Sequence, residues 1–548
     1  MQAPSRRTFP LTDEVDFIVV GSGAAGGVMA KELSTAGHTV LVLEQGPRLN
    51  QTQFDHDEFK YWLQGHITSQ RPVSWRRKPD EEAKVGNGQL LYARLVGGSS
   101  VHFTANFWRL RQIDFIEASR LGTIAGTGLA DWPITYQDLE PYYTKVDWEI
   151  GVSGAVGPFD PPRSRPYPMP PLPVKSSGVL FERGAAKLGL HPQPAPMAIL
   201  SKPHNNRPPC LQCGYCMGFG CEYGAKSSTL ASVIPVAEAT GRCEVRPESY
   251  VTKVETNDRG RVTGVVYFDA QGREQRQRAK AVVLCCNGAE TARLLLLSTS
   301  PHFPQGLANS SGLVGKYLMF NGNPGVFGVF EHPLNEHRGA QVTRIAWDYY
   351  DSDPKRGFYG GGGLDGRYQI YPINFALGGL PPDGPQWGRE YTRLLREYYT
   401  RTMMVTGHTT SLPVETNSVS LDPTVKDERG LPAMRITYTD HPDDLQMMRF
   451  LAARSKEILE AAGAKKVWGG GVDVQNFGAH LLGTARMGRD PGTSVVNIDH
   501  RAHDVPNLFI CDGSSMVTSG RGQPTMTIMA LAFRAGVRIS ALAKRGEI

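Results

Sequence analysis

Four cysteines stand close together: Cys210, Cys213, Cys216 and Cys221, spaced C-x2-C-x2-C-x4-C. Thiolates this near one another are what an iron–sulfur cluster requires. The last spacing differs from the bacterial ferredoxin run, and no proline follows it. Zinc is a weaker reading, because four-cysteine zinc sites usually pair two separated C-x2-C knuckles. Two disulfides would need an oxidising compartment, and free thiols of a vestigial motif are a further alternative. Cys243, Cys285, Cys286 and Cys511 sit in apolar or strand-like contexts and read as small buried hydrophobes.

A second set of residues points to a dinucleotide. Gly21, Gly23 and Gly26 form G-x-G-x-x-G directly after the apolar run Phe17–Val20. The first glycine permits the turn, the second admits a pyrophosphate to the backbone, and the third lets helix and strand pack closely. The phosphates then meet unpaired N–H groups and the positive dipole end of the helix. Thr39–Leu43 reads as the second strand, and Glu44 ends it. A carboxylate at about this 20-residue offset accepts hydrogen bonds from ribose hydroxyls. Further on, Gly97, Gly98, Ser99 and Ser100 make a loop whose backbone can press on a flat ring or a diphosphate.

These residues need a large scaffold, and 548 residues exceed what one core supports. The 61 glycines suit a backbone that approaches a cofactor in several places. The net charge of +6 comes from interspersed charges without a long basic run, which argues against nucleic acid as a partner. No apolar run approaches the ~18 residues of a membrane-spanning helix, so direct membrane insertion is not expected. Ser5-Arg6-Arg7-Thr8-Phe9 looks like a twin-arginine export signal, but the polar Leu11–Asp16 follows in place of an apolar stretch. The reading is a disordered N-terminus without its own signal peptide. The protein is then either cytoplasmic or periplasmic through export with a signal-bearing partner. Along the chain, Gly157–Pro173 reads as a proline-rich surface excursion, and Val245–Val254 with Arg261–Phe268 as a small antiparallel sheet. Ala281–Leu284 reads as a parallel core strand followed by a helix at Ala292–Leu297. Gly360–Gly363 and Pro381-Pro382 read as breaks.

Taken together, the motifs resemble the glucose–methanol–choline (GMC) oxidoreductase family. The resemblance is carried by the glycine-rich opening with Glu44-Gln45-Gly46, by Val96–Ser100, Asp131-Trp132-Pro133-Ile134 and Asn309–Met319. It continues in Asn417–Pro423, His480–Gly488, Asn507–Ser514 and Pro524–Thr527, in order over nearly the whole chain. It implies FAD and a Rossmann-like α/β domain, beside a second, substrate domain on an antiparallel sheet, α+β overall. FAD-domain parts would cover 13–125, 206–325 (with the cysteine insert) and 466–548. Substrate-domain parts would cover 126–205 and 326–465.

The resemblance also assigns chemistry. His480 becomes the candidate base, since imidazole titrates near neutral pH and can pass a proton on. Gln523 occupies the family's second active-site position, where Asn or His is usual; its amide can still hydrogen-bond a substrate oxygen. Gly97, Gly98, Ser99, Asp512, Gly513 and Thr525 fall where the family contacts FAD, with the dipole of the helix from Pro524 facing the flavin. His102 lies where some relatives bond the flavin covalently; the alternative is noncovalent packing. The cysteine run is similar to that of bacterial multisubunit sugar dehydrogenases of the family, which hold a [3Fe–4S] cluster with three cysteines. Four cysteines here leave [3Fe–4S] and [4Fe–4S] open. The implied activity is dehydrogenation of a CH–OH group of a sugar, glycoside or polyol. Electrons would pass through the cluster to a small partner subunit, a cytochrome or another acceptor. An alcohol oxidase using O2 with a non-functional cysteine motif is the main alternative; a lyase and a pure electron-transfer flavoprotein are others. An NAD-dependent enzyme is disfavoured by the single dinucleotide fingerprint.

Overall fold

The computed structural model describes residues 7–368 and 371–548. The glycine-rich stretch folds as strand β1 (Glu14–Val20), helix α1 (Ala24–Thr35) and strand β2 (Val40–Leu43). β1 and β2 pair in parallel from Phe17 opposite Val40 to Val20 opposite Leu43. Phe17–Val20 and all of β2 are buried, which is why these strands are continuous apolar runs. Gly21 has φ +91°, and a Cβ there would lie 2.6 Å from the Cys285 carbonyl oxygen. A Cβ on Gly26 would lie 1.9 Å from Gly21 O, so only glycine lets the helix close on the turn.

The first sheet runs Cys243–Arg246, β2, β1, Glu274–Leu284, Val262–Phe268, Tyr250–Thr256, with Leu508–Ile510 also on Glu274–Leu284. Glu274–Leu284 has a double character. Its first residues pair antiparallel with Val262–Phe268, while its end pairs in parallel with β1 and with Leu508–Ile510. The expected antiparallel pair forms between Tyr250–Thr256 and Val262–Phe268. Cys243–Arg246, placed partly in that pair by its alternation, instead extends the parallel sheet beside β2. Helix Glu290–Leu297 follows Glu274–Leu284, as expected.

Helix Thr525–Lys544 packs against α1 and against helix Tyr136–Val146. Its 20 residues make it long and apolar enough to cross a bilayer by length and composition, contrary to the sequence expectation. Here Met526, Met529, Phe533 and Ile539 are buried in the protein core, which accounts for its apolarity. The N-terminus also differs from expectation. Phe9 is buried, its N–H donating to Glu244 Oε2 and its carbonyl accepting from Arg246 Nη2 at 2.8 Å. This contact anchors it to the first sheet; Ser5 and Arg6 lie outside the described residues.

A second, antiparallel sheet runs Lys466–Gly469, Gly325–Val329, Thr402–Thr409, Gly362–Arg367, Val342–Ala346, Pro192–Pro194. Helices Pro442–Ala462 and Ser176–Lys187 pack on it. The glycine run read as a break leads into a fully buried strand, Gly362–Arg367. A Cβ on Gly362 would lie 1.9 Å from His408 O, so the glycine serves close packing and not chain reversal. The motif strand read at Asn417–Pro423 spans Ser418–Lys426 and joins a third sheet with Pro432–Thr437, Val73–Arg76 and Lys84–Val85.

Candidate active site

A cavity of about 470 Å³ opens where the β1–α1 turn, the Gly98–Ala105 stretch and the start of helix Thr525–Lys544 converge. Gly21, Gly23, Glu44, Gly98, Ser99, His102, Asp512, Gly513 and Thr525 line it, together with His480 and Gln523. Gly26 and Gly97 do not. Gly26 packs helix on turn, and Gly97 stands behind the wall, its N–H donating to Ser22 Oγ at 3.0 Å. Glu44 accepts from the Ser22 N–H at 3.0 Å and hydroxyl at 2.7 Å, and from the Gly46 N–H at 3.0 Å. Burial pushes its pKa up against those hydrogen bonds. Asp512 is likewise raised by burial and is held by Thr291 Oγ1 at 2.6 Å and Ser514 N–H at 2.8 Å.

The cavity fits FAD on two observations. A Cβ on Gly98 would fall 2.8 Å from Gly23 Cα, so two glycine loops form a narrow cradle. His102 Nε2 and Gln45 Oε1, on the same cavity, are buried without a hydrogen-bond partner among the described residues. Burial, with Lys226 nearby, lowers the His102 pKa to about 4, so its ring is neutral.

At the other end of the cavity, His480 Nδ1 lies 3.0 Å from Asn321 Oδ1. Asn321 is buried, and its Nδ2 donates to the carbonyls of Thr409 at 2.8 Å and Gly520 at 3.3 Å. Carbonyls only accept, so the amide cannot turn, and its oxygen faces the histidine. The network therefore assigns the proton to Nδ1 and leaves Nε2 as a bare lone pair. Burial, then the neighbouring His408, lowers the His480 pKa to about 4 and keeps the imidazole neutral.

Gln523 Nε2 lies 3.1 Å from His408 Nδ1, on strand Thr402–Thr409. The loop before it is clamped by Arg521, a fully buried guanidinium bonded to the equally buried Asp114 and Glu117. Helix Thr525–Lys544 begins directly beyond, its positive dipole end at the cavity. Asn321, His408 and Arg521 were not singled out by sequence reasoning. Asn321 has a faint signal, two residues beyond Asn309–Met319; a lone histidine in a strand has none.

The four clustered cysteines carry free thiols, and all of them line one small cavity with Lys226 and Tyr215. Burial pushes the Cys210 thiol up to about 11 and Cys216 up to about 12. Among the described residues, no group of three or more ligand-type side chains is arranged to hold a metal ion, so the expected ligand cage is not formed. The donor chemistry still fits a cluster. Lys226, fully buried, donates to Cys216 O at 2.6 Å and Phe219 O at 2.7 Å; burial lowers its pKa to about 8, and its charge partly offsets the burial that raises the Cys216 thiol. The next residues, Met217 and Gly218, line the large cavity, and the Gly218 N–H donates to His102 O at 2.7 Å. Of the remaining cysteines, Cys243, Cys285 and Cys511 are buried in the core, and Cys285 and the half-buried Cys286 line the cofactor cavity.

A Rossmann-type unit whose glycine cradle leads to a neutral imidazole joins a dinucleotide seat to a group able to accept a proton. The chain matches the GMC oxidoreductase family over residues 172–319 and 413–532, and an NAD(P)-binding Rossmann-like domain over 19–76. It is 35% identical over 547 residues to 2-methyl-1,2-propanediol dehydrogenase of Mycolicibacterium austroafricanum, covering 96% of this chain and 95% of that protein. It is 28% identical to the fructose dehydrogenase large subunit of Gluconobacter japonicus, covering 98% and 99%. Pyridoxine 4-oxidase from Mesorbium loti shares the fold, with a TM-score of 0.62 at 17% identity over 96% of this chain and 99% of that one. The chain belongs to the GMC oxidoreductase family. It is an FAD-dependent enzyme that oxidises CH–OH groups.

Proposed function

We propose that the chain is a dehydrogenase of a sugar, glycoside or polyol that sends its electrons through an iron–sulfur cluster to a partner acceptor. FAD, when bound, supplies the hydride acceptor for the carbinol C–H. The chain's own part is proton transfer: the substrate hydroxyl gives its proton to His480 Nε2. The imidazolium so formed is steadied through Nδ1–H by the fixed Asn321 oxygen. The positive end of helix Thr525–Lys544 favours negative charge in the cavity beside it.

One observation carries the relay: Cys216 lies on the cysteine cavity, and its neighbours Met217 and Gly218 lie on the cofactor cavity. Cys210, Cys213, Cys216 and Cys221 would hold the cluster, which when bound moves single electrons outward. The name of one relative, a large subunit, supports a multisubunit assembly. The test is anaerobic purification with iron, acid-labile sulfide and EPR measured before and after polyol addition. About three or four irons per flavin, with a signal that changes on reduction, support the relay. A second reading, an alcohol oxidase using O2, is favoured by the lack of a closed ligand cage among the described residues. Absence of iron, with stoichiometric peroxide formed in air, would establish it and end the first.

A further inference from the structure

Lys226 is buried with no carboxylate beside it. Its Nζ donates to three carbonyls: Cys216 O at 2.6 Å, Phe219 O at 2.7 Å and Phe103 O at 3.3 Å. An ammonium has three N–H groups and no lone pair, so three acceptors match the charged form. An uncharged amine would turn its lone pair toward one of these oxygens. Burial lowers its pKa only to about 8, which leaves it charged at neutral pH. Among the described residues it forms no ion pair, and the ionisable groups that act on it are Cys216, Cys221 and Cys213. Glu222, which also lines the cysteine cavity, instead lies 3.7 Å from His56 Nε2.

A buried charge without a counter-charge is strongly unfavourable. The cysteine cavity can supply one, but not with its thiols protonated, and burial holds Cys210 and Cys216 up at about 11 and 12. Disulfides would be neutral too. A cluster held by three or four thiolates carries net negative charge. We infer that Lys226 is the fixed counter-charge of the cysteine site and the positioning residue that raises the reduction potential of the cluster held there. An electron taken from reduced flavin makes that cluster one unit more negative, and a nearby positive charge stabilises the reduced form. The third carbonyl belongs to Phe103, on the wall of the cofactor cavity, so the same ammonium ties the cysteine loop to the flavin side. The inference rests on the proposed cluster and adds what sets its potential.

The test is an EPR-monitored redox titration of the anaerobically purified protein, unmodified and as Lys226→Gln and Lys226→Arg. Glutamine keeps N–H donors without the charge, and arginine keeps the charge. At a fixed potential, Lys226→Gln should lower the reduced-to-oxidised ratio of the cluster tenfold or more, a midpoint fall of at least 59 mV for one electron. Lys226→Arg should keep that ratio within about threefold of the unmodified protein. Iron lost from Lys226→Gln but kept in Lys226→Arg would show the same need for charge and support the inference. An unchanged midpoint in iron-loaded Lys226→Gln, or an equal shift or equal loss of iron in both variants, would overturn it and leave the relay standing. An unmodified protein without iron would overturn both.

Discussion

Replacing Asn321 by Asp tests whether His480 is the base and whether its neighbour sets its proton. The base is neutral above its lowered pKa of about 4. Flavin reduction should therefore be flat above about pH 5 and fall roughly tenfold per pH unit well below 4, as protonation removes the lone pair. Asn321 Oδ1 lies 3.0 Å from His480 Nδ1. An ionised carboxylate there favours the imidazolium and raises the histidine pKa by roughly one to three pH units, to somewhere near 5–7, against the cost of turning its second oxygen toward the Thr409 and Gly520 carbonyls. With a value of about 6, only about a tenth of the base is neutral at pH 5, against about nine tenths in the unmodified enzyme, by the same relation. Asn321→Asp should thus be about tenfold slower at pH 5 and match the parent at pH 8. The assay is anaerobic stopped-flow bleaching of the oxidised flavin at saturating substrate, with FAD content and far-UV circular dichroism as controls. An acid limb that stays at pH 4 in a folded, FAD-loaded variant would refute the assignment.

His480→Ala should lose about 10²–10⁴ of the reduction rate while FAD absorbance is retained; unchanged turnover would remove His480 from the chemistry. Arg521→Leu leaves Asp114 and Glu117, which are buried, without their cation. It should cost about 3–5 kcal/mol in urea unfolding, the usual cost of a broken buried pair, and a change within error would show that the clamp is idle. The unpartnered His102 Nε2 is expected to carry the flavin covalently. The denatured protein band should then fluoresce, and the His102→Asn band should not; flavin released from the unmodified chain would return His102 to a packing role.

Much of the cofactor side was readable in the chain. G-x-G-x-x-G works through local backbone geometry, so Gly21, Gly23, Gly26 and Glu44 appear in sequence as they act in space. His480 was legible only through its resemblance to a motif, since burial and a fixed tautomer leave no mark on neighbouring residues. The support of the site was not legible. Asp365 and His408 come from separated segments and lie together because Gly362 lets its strand press against the His408 backbone, while Asn321 reaches His480 from a third segment. Helix Thr525–Lys544 is apolar because it is encased, and Phe9 is bound by residues more than two hundred positions away. In both cases tertiary contacts outweigh what a local window shows.

The strand Glu274–Leu284 has a consequence for how this enzyme is made. It joins β1 on one edge and Leu508–Ile510 on another, so the first sheet is complete only when early, middle and late parts of the chain have met. The cofactor cavity is more demanding still, because Asp512, Gly513, Gln523 and Thr525 belong to its wall. A nascent chain can form the β1–α1–β2 unit early, yet it has no closed seat for FAD until those last wall residues have left the ribosome. Such long-range assembly is slow and exposes apolar surface meanwhile. Flavin capture thus belongs to a late stage of folding, and FAD, by binding only the assembled cavity, would stabilise that assembled state.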